Sequence, residues 1–156
     1  MKKISIKKGQ ILQRKGERST KVYIVKSGLL RSYTIDEKGK EHIFMFAPED
    51  WLIADSVSPD RPGELFIDAI EDAIVIEKSK TSADIHDTQK LIKRLEVLQK
   101  RIIMLMSASA IERYEHIVET YPEIVQRVQQ RMIASYLGIT PEALSTVKRQ
   151  RLKERS

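Results

Sequence analysis

The stretch QRMIASYLGITPEALSTVKR, residues 130–149, carries two helical phrases around a single break. Ile133, Leu137, Ile139, Leu144 and Val147 recur at the spacing that lets two short helices share a small core. Gly138 falls between them, and glycine takes the positive φ of a tight turn at no steric cost. Ala134 is small where the two helices would cross most closely. Thr140 suits the N-cap, and Pro141 suits the first helical position, where its missing N–H is not needed. Together these give the spacing of a helix-turn-helix.

On the second helix Glu142, Ser145, Thr146 and Arg149 then point away from the core, the direction from which base edges and phosphates of a major groove are reached. The residues expected to contact DNA are Thr140, Pro141, Glu142, Ser145, Thr146, Lys148, Arg149 and Arg151. Charge supports the same end of the chain. The formal net charge is +6, and from Gln126 onward seven Lys and Arg residues stand against two Glu, so most of the excess lies in the last fifth. A basic surface concentrated there fits a polyanion, with double-stranded DNA the expected partner.

Moving towards the N-terminus, Pro122 to Val128 reads as a short connecting helix, and Ile111 to Thr120 as another, closed by Tyr121-Pro122 because a residue before proline avoids helical geometry. Ser107-Ala108-Ser109-Ala110 is a candidate hinge. From about Asp84 to Met106 no Gly or Pro interrupts a long helix, and Leu91, Leu95, Leu98, Ile102 and Leu105 follow in steps of four and three. That is an a/d heptad seam, expected to join two copies in a homodimer. Ile92, Ile103 and Met106 add an apolar line on another face.

Over residues 8–77, the region that reads as strands, the period shortens to two. Residues 21–25, 29–35, 42–46 and 73–77 alternate β-branched or aromatic with polar residues, and Gly9, Gly16, Gly28 and Gly39 punctuate them in the rhythm of an antiparallel sandwich or barrel. Asp36-Glu37-Lys38-Gly39 reads as a hairpin turn, and residues 58–63 as a loop. Asp68 and the pair Glu71-Asp72 read as strand-end and turn acids. The fold class is α+β, with expected domains 1–83 (strands), 84–107 (dimerisation helix) and 108–156 (helix-turn-helix).

In this order the parts resemble the cyclic-AMP receptor / fumarate-nitrate regulator (Crp/Fnr) family of transcription regulators, in a short form. The resemblance is carried by Lys8-Gly9-Gln10-Ile11-Leu12 with Lys15-Gly16-Glu17, by Val22-Tyr23-Ile24-Val25-Lys26-Ser27-Gly28, and by Ile133-Ala134-Ser135-Tyr136-Leu137-Gly138-Ile139-Thr140-Pro141-Glu142. It implies a cyclic-nucleotide-binding-type β-roll, a dimer helix and a DNA-binding domain that reads a palindromic operator. Members that bind cyclic nucleotides carry Gly-Glu followed by Arg-Ser/Thr-Ala. Here the first pair falls on Ala54-Asp55 and the second near Gly63-Glu64-Leu65, with no arginine for the phosphate. Cyclic AMP is not the expected effector, since a buried phosphate without a cation is strongly disfavoured. An unidentified small molecule would be met around Ala54, Asp55, Ser56, Arg61 and Glu64. Thr146 stands where many relatives place a base-reading arginine, and the residues after the recognition helix leave no room for a clear β-wing.

With no Cys, thiolate catalysis, disulfides and cysteine-ligated iron–sulfur clusters are excluded. His42, His86 and His116 are scattered, so no metal site and no cofactor is expected, and no clustered nucleophile, base or phosphate loop suggests an enzyme. No apolar run reaches the roughly 18 residues of a membrane span and no signal core opens the chain, so no membrane is expected and the compartment is expected to be the cytoplasm. The competing reading is a ligand-sensing or protein-interaction module whose C-terminal hairpin is only structural.

Overall fold

A computed structural model describes residues 1–82 and 87–155. The chain divides into two compact units, Met1–Ile85 and His86–Ser156. The first contains strands β1 (Lys2–Ile6), β2 (Ile11–Gln13), β3 (Lys21–Ser27), β4 (Leu30–Ile35), β5 (Glu41–Ala47), β6 (Leu52–Ile53), β7 (Phe66–Ala69) and β8 (Ala73–Ser79). They pair antiparallel as two four-stranded sheets, β1-β8-β3-β6 and β2-β7-β4-β5. Only β4 and β5 are neighbours both in sequence and in a ladder; elsewhere the chain passes from one sheet to the other, which is what makes a roll.

Alternation decides which side chains enter it. Tyr23, Val25, Ile53 and Val75 from one sheet meet Leu30, Met45, Ile67 and Ala69 from the other in one buried cluster. Each fully buried aliphatic side chain there stabilises the unit by roughly 1.5–3 kcal/mol. The β4–β5 hairpin turns where the sequence places it. Asp36 Oδ1 accepts from the amides of Lys38 and Lys40 at 2.9 and 3.0 Å, and Oδ2 meets His42 Nε2 at 2.8 Å. The bond to His42, then those amides, hold its carboxyl below the usual range.

Two expectations need correction. β1 precedes the region read as strands; its Ile4 and Ile6 alternate, but the lysines on both sides hide so short a signal. Asp68 is no strand-end acid. It lies within β7, directly across from Arg31 of β4, and takes Arg31 Nε and Nη2 at 2.8 and 3.1 Å while Glu41 takes Nη1 at 2.7 Å. Burial lowers the Arg31 pKa, but bonds to Asp68 and Glu41 outweigh it and the net shift is upward. Register brings these partners together from 37 residues apart, beyond any local pattern.

The second unit is helical: α1 (Thr88–Ser107), α2 (Ala110–Thr120), α3 (Pro122–Arg127), α4 (Gln130–Leu137) and α5 (Pro141–Arg155). α1 begins later than expected because Asp87 is its N-cap, its carboxylate accepting from the amides of Gln89 and Lys90. The earlier part of the expected helix, 84–86, lies outside the described residues. The candidate hinge is a capped break, in which Ser109 and Glu112 form a reciprocal capping box. Among the described residues no helix is long and apolar enough to cross a membrane.

Candidate nucleic-acid interface and roll loop

α4 and α5 are held by the small core the sequence anticipates. Ile133, Ala134, Leu137, Leu144 and Val147 are buried, joined by Tyr114 and Ile117 of α2 and by Met132, while Ile139 is half-buried. Gly138 takes φ 68°, the left-handed conformation that reverses the chain, and the Ile139 amide returns to Ala134 O at 3.0 Å. Thr140 Oγ1 caps α5 by accepting from the Ala143 amide at 3.1 Å.

Burying Leu144 and Val147 turns the opposite side of α5 outward. Thr140, Pro141, Glu142, Ser145, Thr146 and Arg149 are exposed on it. Thr146 donates its hydroxyl to Glu142 O at 3.1 Å, which leaves its methyl as the outward group. Lys148 is half-buried and reaches Gln130 Oε1 at 2.8 Å, tying α5 to the first turn of α4. Arg151 is the member of the expected set that turns inward. It is half-buried with its guanidinium carbon 5.9 Å from the Tyr114 ring centre, so it packs on α2. Gln130 escaped the sequence analysis because its link to Lys148 spans 18 residues.

Along α1, Leu91, Leu95 and Ile102 of the heptad seam are exposed, Leu95 at 65%, and Leu98 and Leu105 are half-buried. Ile92, Ile103 and Met106 are exposed as well. In one chain these side chains keep apolar surface in water, a cost that a partner would remove.

In the roll, Asp55 is spent internally. Its Oδ2 accepts from the amides of Glu64 and Leu65 at 2.6 and 2.8 Å and lies 3.3 Å from Gln13 Nε2, while Oδ1 accepts from the Val57 amide at 3.1 Å. Gly63 fits between them because a Cβ there would stand 2.7 Å from Gln13 Nε2 and 3.2 Å from Asp55 Oδ2. Its amide and carbonyl bond Glu17 O and the Gly16 amide, at 2.7 and 2.8 Å. Lys80 completes the support, donating to Ser19 Oγ and to Val57 O, and burial lowers its pKa against the opposing pull of Asp55. Asp55 is therefore a loop anchor with its oxygens occupied. Of the other expected pocket residues, Ala54 is half-buried and Ser56, Arg61 and Glu64 are exposed.

Residues 3–82, just over half of the chain, match the cyclic nucleotide-binding domain family. The chain is 28% identical over 170 residues to the anaerobic regulatory protein of Aggregatibacter actinomycetemcomitans, covering 92% of this chain and 64% of that protein. It is 32% identical over 107 residues to the fumarate and nitrate reduction regulatory protein of Vibrio cholerae, covering 68% and 40%. The chain belongs to the Crp/Fnr family. Among solved structures, FixK2 of Bradyrhizobium japonicum superposes with TM-score 0.77 at 22% identity over 98% of this chain and 85% of that one. A Crp/Fnr transcriptional regulator of Thermus thermophilus gives 0.77 at 16% identity over 98% and 87%. These likenesses carry the fold. This Crp/Fnr chain spans under two thirds of the length of the curated relatives described.

Proposed function

We propose that this chain is a DNA-binding transcription regulator and not an enzyme: a cytoplasmic homodimer joined along Leu91, Leu95, Leu98, Ile102 and Leu105 that sets two copies of α5 into successive major grooves of a palindromic operator. The observation that carries the reading is the exposed face of α5, where Glu142, Ser145, Thr146 and Arg149 stand together beyond a Gly138 turn while Leu144 and Val147 anchor the other side. Glu142 and Thr146 would read bases, Thr146 through its methyl against thymine, and Arg149 and the tethered Lys148 would meet phosphates. Arg151 supports this surface by packing α5 against Tyr114 of α2.

The roll domain, 1–83, would act through the helix of 84–107 on the DNA-binding part, 108–156. Asp55 occupies the loop amides, so an effector would meet the loop from outside, at Ser56, Arg61 and Glu64, and would not be a cyclic phosphate. Duplex binding followed by fluorescence anisotropy tests the reading. Affinity should fall steeply and linearly in log–log form with salt, because each phosphate neutralised releases about 0.9 counterion. A chain with no affinity for duplex DNA at low salt, yet stabilised by a small molecule, would be a sensing module instead.

A further inference from the structure

An α-helix ends in carbonyls that its own ladder cannot satisfy, and in α4 their partners can be traced one by one. The amides of Gly138 and Ile139 return to Ser135 O and Ala134 O at 3.1 and 3.0 Å. The next two carbonyls are taken from outside the hairpin. Arg101 of α1 donates Nη2 to Tyr136 O at 3.0 Å, and Arg113 of α2 donates Nη1 to Leu137 O at 3.0 Å. α4 has no basic residue in its own last turn, so two guanidinium groups borrowed from other helices supply the positive charge that its dipole favours.

Arg113 reaches further. Its Nη2 donates to Leu105 O at 2.7 Å in the last turn of α1, and its Nε to Ala108 O at 3.1 Å in the capped break between α1 and α2. One planar fork thereby closes the C-terminal ends of two helices and holds the link after the first of them. A Cβ on Gly138 would meet Arg113 Nη1 and Leu105 Cδ2 at ordinary contact, 3.4 and 3.5 Å, so the glycine is required by the positive φ of the turn and the guanidinium packs directly against that turn. Arg101 is fixed beside it, with its guanidinium carbon 4.0 Å from the centre of the Tyr136 ring.

We propose that Arg113, seconded by Arg101, is a positioning residue that fixes the angle between α1 and the helix-turn-helix, and so the separation at which paired α5 helices meet a duplex. The geometry stands on its own; only the consequence for DNA rests on the function proposed above. Lysine cannot replace Arg113, because one ammonium cannot hold three acceptors on three segments with the geometry of a rigid fork.

The chain has no cysteine, so Lys93→Cys on α1 and Gln150→Cys on α5 give a unique pair of spin-label sites. Double electron–electron resonance on labelled chain diluted into unlabelled chain should show one narrow distance in the parent. It should show a distribution about twice as broad in Arg113→Gln and Arg113→Lys, with a smaller effect in Arg101→Gln, all folded by thermal melting. On operators re-spaced by one or two base pairs, the parent should prefer the correct spacing by about tenfold and Arg113→Lys by little, while preference for the half-site sequence is unchanged. If Arg113→Gln does not fold, Arg113→Lys and Arg101→Gln carry the test. A narrow distance retained in the folded variants overturns the proposal whether or not the parent binds DNA. A parent that binds no duplex, with the broadening intact, overturns only the DNA-binding function.

Discussion

Asp55 shows what a single residue can decide. A buried carboxylate that accepts three amides holds the 55–65 loop from within. Replacing Asp55 with Ala strands those donors, and hydrogen bonds to a charged group are worth about 1.5–3 kcal/mol each. Asp55→Ala should therefore lose roughly 3 kcal/mol or more in denaturant unfolding, and an unchanged midpoint would mean that the loop stands without it. Glu112 offers a test by pH. It accepts from the Ser109 amide at 2.7 Å, and that bond, before any other influence, lowers its pKa. A carboxyl depressed in the folded state stabilises fully above its unfolded value, about pH 4.3, and loses that contribution as pH falls through the folded value. The thermal midpoints of the parent and Glu112→Gln should differ at pH 7 and converge towards pH 3; a gap independent of pH would contradict the charged cap. Neither role was legible beforehand. Asp55 stood out by its place in a motif order, but its amide partners nine and ten residues away follow from the loop's path and not from a repeating period.

Whole elements were far more legible, because periodicity and punctuation act locally. The turn at Gly138, the Thr140 cap, the Asp36 hairpin and the break before Pro122 each follow from a few adjacent residues, and each lies where the sequence puts it. β1 and the pairing of Arg31 with Asp68 were not, since they depend on register between distant strands. The two helices that matter most should respond differently to substitution. On α5, Glu142→Ala and Thr146→Ala should change which bases are preferred. Lys148→Ala and Arg149→Ala should weaken all sites alike and reduce the salt slope by about one each, as titrations across a panel of duplexes would show. A shift in base preference on losing Lys148 alone would mean that its bond to Gln130 orients the helix. On α1, Leu95→Glu puts a charge on an exposed apolar position. It should leave the monomer fold intact by circular dichroism while sedimentation shows dissociation of the dimer; an unchanged assembly would remove Leu95 from the seam.

At the scale of the molecule, two units with different construction are joined in one chain: a roll whose sheets pair strands far apart in sequence, and a helical unit in which α2 packs against α4 and α5. The order of these parts was readable because the change of period from two to 3.6 marks the boundary. Coupling inside the helical unit, of the kind assigned to Arg113, was not, because it rests on carbonyls at the ends of two helices, which carry no sequence signature. On the function proposed, two copies of α5 read DNA at a fixed separation. In-vitro selection of random duplexes by the intact protein, followed by sequencing, reads that separation out. The expected product is an inverted repeat with half-site centres about one helical turn, 10–10.5 base pairs, apart; recovery of no enriched sequence, or of single half-sites without a partner, would contradict it.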